Sequence, residues 1–240
     1  MKQFAAPVLI ALLSGLMACG NATDQTTGPP DPFQEDTTLV NDTLSDEEES
    51  TFEEKLASYE SKDRVFWQKP DLVIDRLGDL SQKTVADIGA GSGYFARRLA
   101  HKAKRVIAID IDEQFINFMD SIKRVELPAE VQSRFETRLA EPEDSRLLKE
   151  EADVVILVNT YIYIPNRVKY LSHLKEGMKK GGMIVIVDFK KKRMPIQTPP
   201  DELRLPLHQV ENELEEAGYN WLTSDDTSLD FQYIVIAQKK

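Results

Sequence analysis

From residue 53 onward the chain alternates between two hydrophobic periodicities. Short apolar runs rich in β-branched side chains occupy 84–88, 105–109, 131–138, 153–158 and 183–188. Their near-continuous apolar character is that of strands buried on both faces. Between most of them, over 94–102, 113–123, 166–179 and 207–217, apolar residues recur at three- and four-residue spacing, the mark of amphipathic helices. Two further helices, 53–61 and 70–79, precede the first strand, and Pro70 suits a first helical turn. Gly181-Gly182 and Gly218 read as helix stops before the next strand. The final run, 221–240, reads as two strands with a short turn and no helix between them, the second over 231–238. The pattern predicts an α/β fold, doubly wound: a mostly parallel seven-stranded sheet, helices on both faces, and an antiparallel C-terminal strand.

The first 52 residues follow neither period. Met1-Lys2-Gln3 is a short positive start, and Phe4 to Ala18 is an apolar run interrupted only by Pro7, Ser14 and Gly15. A run of about 15 residues is too short to cross about 30 Å of hydrocarbon as a helix, and reads as a secretory signal peptide over 1–18. It ends in Leu16-Met17-Ala18-Cys19, which resembles a bacterial lipobox. That resemblance implies cleavage before Cys19, lipidation of Cys19, and a bacterial cell-envelope location at the membrane. Gly20 after the cysteine favours the outer membrane. A true start at Met17 would instead leave the protein in the cytoplasm. Residues 19–52 then form a tether of Thr, Asp, Pro, Glu and Ser, whose roughly 33 residues reach about 30 Å or more. A partner-binding acidic segment is the alternative reading of that stretch.

Charge sharpens this division. Residues 20–54 hold 11 acidic side chains and no basic one, whereas residues 55–240 hold 30 acidic and 29 basic. The formal net charge of −11 therefore belongs to residues 20–54, and the rest of the chain is near neutral. Neither part is a surface built to coat nucleic acid. The single cysteine excludes an intramolecular disulfide or a cysteine-based zinc site. His101, His173 and His208 are isolated, so no metal site is expected.

The chemical signal is Val85-Ala86-Asp87-Ile88-Gly89-Ala90-Gly91-Ser92-Gly93-Tyr94-Phe95, where the first strand hands over to a helix. Gly89, Gly91 and Gly93 permit a tight turn and close approach of backbone to a ligand. Asp87 precedes the first glycine by two residues. Asp110 ends the second strand, placed to accept from ribose hydroxyls, and Glu141-Pro142 follows the third, where an acceptor could meet an adenine amino group. A dinucleotide fingerprint has a different spacing, and its third glycine would fall on Tyr94, too bulky for close helix–strand packing. No Gly-Lys-Ser/Thr follows, so the loop is not a phosphate-binding P-loop either.

Asp87-Ile88-Gly89-Ala90-Gly91-Ser92-Gly93, Asp110 and the C-terminal hairpin resemble the class I S-adenosylmethionine-dependent methyltransferases over about residues 58–240. The segments 64–78, 159–166 and 187–195 look like a bacterial subgroup of small methyltransferases of undefined substrate. The resemblance implies S-adenosyl-L-methionine as cofactor. It would be held by Gly89, Gly91, Gly93, Asp110 and Glu141, with Asp87 near the methionine end and Asn159 near the sulfonium. The subgroup commonly has a histidine pair after Asn-Thr-Tyr, where this chain has Ile162-Tyr163, so histidine-dependent chemistry is not expected.

Methyl transfer needs alignment first and a base only if the acceptor must lose a proton. Tyr161, Tyr163 and Asp188 are the candidate bases at the carboxyl edge of the sheet, with pocket wall and loop cap as their plainer roles. Trp67, Gln68 and Lys69 are ligand contacts or packing, and Lys190-Lys191-Lys192-Arg193 is a solvated loop or an attractor of anions. Two functions remain: a methyltransferase acting on a small-molecule or envelope acceptor, or an exported non-catalytic binding module that reuses the fold. No protein partner is indicated by the sequence.

Overall fold

The computed structural model describes residues 50–195 and 199–240. The expected signal peptide, Cys19 and nearly all of the expected tether lie outside the described residues. In chain order the elements are α1 (Phe52–Tyr59), α2 (Arg64–Trp67), α3 (Pro70–Asp75), β1 (Thr84–Ile88), α4 (Tyr94–Ala100), β2 (Arg105–Asp110), α5 (Glu113–Glu126), α6 (Ala129–Gln132), β3 (Phe135–Leu139), β4 (Ala152–Val158), a 3-10 turn (Tyr161–Tyr163), α7 (Arg167–Gly177), β5 (Met178–Phe189), α8 (Leu207–Glu216), β6 (Tyr219–Asp225) and β7 (Gln232–Lys239).

The strands form one seven-stranded sheet in the order β3-β2-β1-β4-β5-β7-β6. The first five are parallel, and β7 runs antiparallel between β5 and β6. This is the doubly wound α/β sheet expected, with its antiparallel C-terminal strand. Successive residues of each central strand point to opposite faces, so the core has two halves. Val85, Val106, Val154, Ile156, Val185 and Val187 pack under α3, α4 and α5, while Ala86, Ile107, Val155, Leu157 and Ile186 pack under α7 and α8. Each fully buried Val, Leu or Ile among them contributes about 1.5–3 kcal/mol.

Several boundaries differ from the sequence reading; the helix expected over 70–79, for one, ends at Asp75. The run 131–138 is not all strand: Pro128 starts the short helix α6, and the strand begins only at Phe135. The helix expected over 166–179 ends at Gly177, and β5 begins at Met178, which pairs with Ala152. Gly181 and Gly182 therefore do not stop a helix. They carry an irregularity inside β5, where the register with β4 shifts between Ala152 and Val154 and Gly181 takes φ +71°.

Candidate functional site

The strand order reverses direction between β1 and β4, and the loops after these two strands diverge around a crevice, the usual place for a ligand in an open α/β sheet. A cavity of about 310 Å³ opens there, lined among others by Asp87, Gly89, Gly91, Asp110, Asn159 and Tyr163. It falls at the small end of the roughly 300–1,000 Å³ typical of small-molecule sites. A side pocket of about 90 Å³ shares Gly89, Asp110, Thr160 and Tyr163 with it and adds Glu141 and Pro142.

The glycine loop is sewn to the end of β2. The N–H groups of Gly89 and Ala90 both donate to the Ile109 carbonyl at 2.8 and 2.9 Å, and that of Gly91 donates to Asp110 Oδ2 at 2.7 Å. Two of its glycines are required by contact as well as by conformation. A Cβ on Gly89, at φ +68°, would lie 2.4 Å from the Thr160 side chain, and one on Gly91, at φ +55°, would lie 2.9 Å from the Tyr59 ring. Tyr59 comes from α1, which is fixed at its start by a capping box between Thr51 and Glu54. Phe52 and Tyr59 pack on the Phe115 ring of α5 at centroid distances of 5.0 and 5.2 Å. The N-terminal helix thus walls the cavity, a role that its periodicity alone did not disclose.

Asp87 is 2% exposed, and its Oδ2 has no hydrogen-bond partner. Burial, with the nearby Asp110 carboxylate, pushes its carboxyl up to about 7, against the pull of the Arg64 guanidinium. Asp110 is raised in the same direction by burial and is held by the N–H groups of Gly91 and Asp112. Arg64 is itself buried, which lowers its guanidinium to about 10. It lies over one ring, that of Tyr94, at 4.1 Å, and Arg98 lies over the same ring at 3.7 Å. The bulk of Tyr94, where a dinucleotide site would need glycine, is thus taken up between two cations.

The expected site residues divide clearly. Asp87, Gly89, Gly91, Asp110, Asn159 and Tyr163 line the main cavity. Gly93, at φ +78°, closes the loop at the start of α4. Glu141 lines only the side pocket, and its carboxylate is engaged by Arg146. Of the three candidate bases, Tyr161 and Asp188 line neither of these two cavities. The Tyr161 hydroxyl donates to Glu213 Oε2 at 2.6 Å, and burial with that carboxylate raises its pKa far above the ordinary phenol value. Asp188 is fully buried and pushed up to about 7 by burial, and it accepts from the backbone N–H groups of Phe189 at 2.8 Å and Ile162 at 3.3 Å. It is the loop cap. Glu213 also takes a bidentate ion pair from Arg167, tying the 3-10 turn to α7 and α8. Trp67 packs on Phe189 at 5.8 Å, Lys69 donates to the Ser228 carbonyl, and Lys190 donates to the Leu229 carbonyl. Lys191, Lys192 and Arg193 are exposed.

The arrangement of glycine loop, strand-end acid and antiparallel final strands coincides with a known family pattern. A family described as Methyltransferase domain matches residues 79–235. The chain belongs to that family. Among curated relatives, this methyltransferase domain is similar to tRNA U34 carboxymethyltransferase of Shewanella amazonensis, 31% identical over 122 residues, covering 49% of this chain and 35% of the relative. The chain therefore spans about a third of the length of the curated relative it matches. Among solved structures, a SAM-dependent methyltransferase from Aquifex aeolicus superposes with a TM-score of 0.72 at 22% identity, covering 80% of this chain and all of that one. Phosphoethanolamine N-methyltransferase 2 of Haemonchus contortus, solved in complex with S-adenosyl-L-methionine, gives 0.60 at 14% identity, covering 72% and 52%. At these identities the solved structures establish a shared fold.

Proposed function

We propose that this methyltransferase domain binds S-adenosyl-L-methionine and transfers its methyl group to a small-molecule or envelope acceptor. The observation that carries the reading is the buried, unpartnered Asp87 Oδ2 beside a backbone cradle that a Cβ at Gly89 or Gly91 would fill. A buried carboxylate oxygen without a donor is costly unless a ligand supplies one. The cofactor's α-ammonium is such a donor. Asp110 spends two lone pairs on backbone N–H groups and retains others for ribose hydroxyls. Glu141 can meet an adenine amino group only by loosening its pair with Arg146, an exposed contact worth about 1 kcal/mol or less.

When bound, the cofactor supplies an electrophilic methyl group on a sulfonium. The chain's task is then alignment, which can be worth about 7–11 kcal/mol. Of the three candidate bases, Tyr163 lines the cavity. Burial and the Asp188 carboxylate raise its phenol above the ordinary value, so at neutral pH it stays protonated and acts as a wall. An acceptor that is nucleophilic without first losing a proton fits this site best.

The same reading puts the domain on a lipidated Cys19 at the cell envelope, supported by the apolar leader, the Leu16-Met17-Ala18-Cys19 sequence and the acidic stretch that follows. The relatives named as RNA enzymes do not extend their substrates to this chain, because residues 55–240 balance 30 acidic against 29 basic side chains. Calorimetric titration of S-adenosyl-L-methionine tests the central claim. Micromolar affinity, about −8 kcal/mol, is expected. No heat up to millimolar ligand would transfer the preference to the exported binding module.

A further inference from the structure

Behind the cavity, three side-chain amides and one guanidinium form a chain whose direction is fixed at one end. Arg64 Nε donates to Gln68 Oε1 at 2.8 Å. Arginine has no acceptor, so the oxygen of Gln68 must face it and the Gln68 amide nitrogen must face the other way. That nitrogen donates to Gln232 Oε1 at 3.2 Å and to Asn159 Oδ1 at 3.3 Å. Gln232 Nε2 then donates to the same Asn159 oxygen. Gln68 and Gln232 are fully buried, so no water can reverse the order. Turning any one amide over would set donor against donor.

The consequence falls on Asn159. Its oxygen is turned inward to two donors, so its Nδ2, which has no protein partner among the described residues, is left to the cavity that Asn159 lines. Its backbone is held at φ +58°, a left-handed conformation tolerated best by Asn, Asp and Gly, and its N–H donates to the Val187 carbonyl at 2.9 Å. Side chain and backbone are both fixed, so the group cannot rotate to suit a ligand of the opposite polarity. Arg64 lines the same cavity and is also a donor only.

We propose that Asn159 Nδ2 is a recognition group for an anionic oxygen, a carboxylate above all, and that Gln68 and Gln232 are positioning residues that transmit the donor polarity of Arg64 to it. An amine or ammonium at that point would meet donors only. The carboxylate has two sources: the amino-acid end of the cofactor, which rests on the function proposed above, or an acid group on the methyl acceptor.

Asn159→Asp tests this in the full chain. Aspartate has the same shape, tolerates the same φ, and still accepts from both glutamines, but it turns an anion toward the cavity. Two probe pairs are measured against wild type. In calorimetry, S-adenosylhomocysteine carries the carboxylate and 5′-methylthioadenosine lacks the whole amino-acid end. In ligand-observed NMR on the protein held with excess S-adenosylhomocysteine, benzoate is compared with benzylamine. The proposal expects the carboxylate-bearing member of one pair to lose tenfold or more in affinity while its counterpart changes less than twofold. Separation in the first pair assigns the oxygen to the cofactor, and separation in the second assigns it to the acceptor. If neither pair separates, the proposal is overturned. Should wild type fail to bind S-adenosylhomocysteine at all, the proposed function falls, and the benzoate pair, run on the free protein, still decides this one. Asn159→Gly keeps the left-handed backbone and deletes the amide, so it carries the test if the aspartate variant does not fold. It should lose the same selectivity while keeping a cooperative urea transition, at a midpoint lowered by the glutamine amide left without its acceptor.

Discussion

Asp87→Asn probes how the site stores energy. The carboxyl is 2% exposed, has one oxygen without a partner, and is pushed up to about 7 by burial and the Asp110 charge. In the unfolded chain it titrates near 3.9, so the folded state holds the proton over about 3 pH units more, at about 1.4 kcal/mol each. An acid raised on folding contributes stability that is full below its unfolded pKa and is lost as pH rises through the folded one. Wild type should therefore lose stability between about pH 5 and about pH 8, and Asp87 alone accounts for a ceiling of about 2.5 kcal/mol of that loss. Asp188, likewise fully buried and pushed up to about 7, contributes a similar slope that the variant retains. Urea unfolding at several pH values reads the difference. Asp87→Asn should flatten the profile by about one proton's worth, about 1.4 kcal/mol per pH unit at most, and should be more stable than wild type at the alkaline end. A variant profile as steep as wild type would refute the account of Asp87 as a buried, largely uncompensated acid.

Two further outcomes follow from the geometry and the sequence. Gly89→Ala adds a left-handed penalty of about 1–2 kcal/mol and a collision with Thr160 worth about 1–3 kcal/mol, so its urea midpoint should fall markedly. Pairing it with Thr160→Gly should recover the collision alone, and strict additivity of the two variants would count against the contact. Cys19→Ser should release the protein from the membrane fraction of the producing bacterium, and unchanged fractionation would remove the lipid anchor from the proposal.

Much of the fold was legible because strand and helix carry different periods. Thr84–Ile88 and the helix that follows were readable to the residue at the strand, since β-branched runs bounded by glycine leave few alternatives. The glycines that line the cavity were legible for a related reason: Gly89 and Gly91 are set by backbone geometry, which leaves a local trace in sequence. The surroundings of Tyr161 and Asp188 were not legible, because their position at a strand end fixes where the backbone goes and not which way the side chain turns. The decisive partners, Glu213 for Tyr161 and the Ile162 N–H for Asp188, are 52 and 26 residues distant in sequence. Tyr59 and Gln232 were missed for the same reason. Nothing in their own neighbourhoods marks them as part of a site that is assembled over 160 residues of chain.

The insertion of β7 between β5 and β6 sets the order in which the site can be completed. The glycine loop, Asp110 and α5 come from the first half of the chain and can close locally as soon as β1 and β2 pair. Gln232, which orients Asn159, arrives only on β7, the last strand of the chain, which must pair with β5 across the whole of α8 and β6. Such non-local pairing is slow, because long loops close before any contact rewards them. During synthesis a nascent chain therefore passes through a stage with its loop formed and the Asn159 amide still free to turn. In that stage the nascent pocket has its contour but has not yet acquired the ability to tell an acid from an amine.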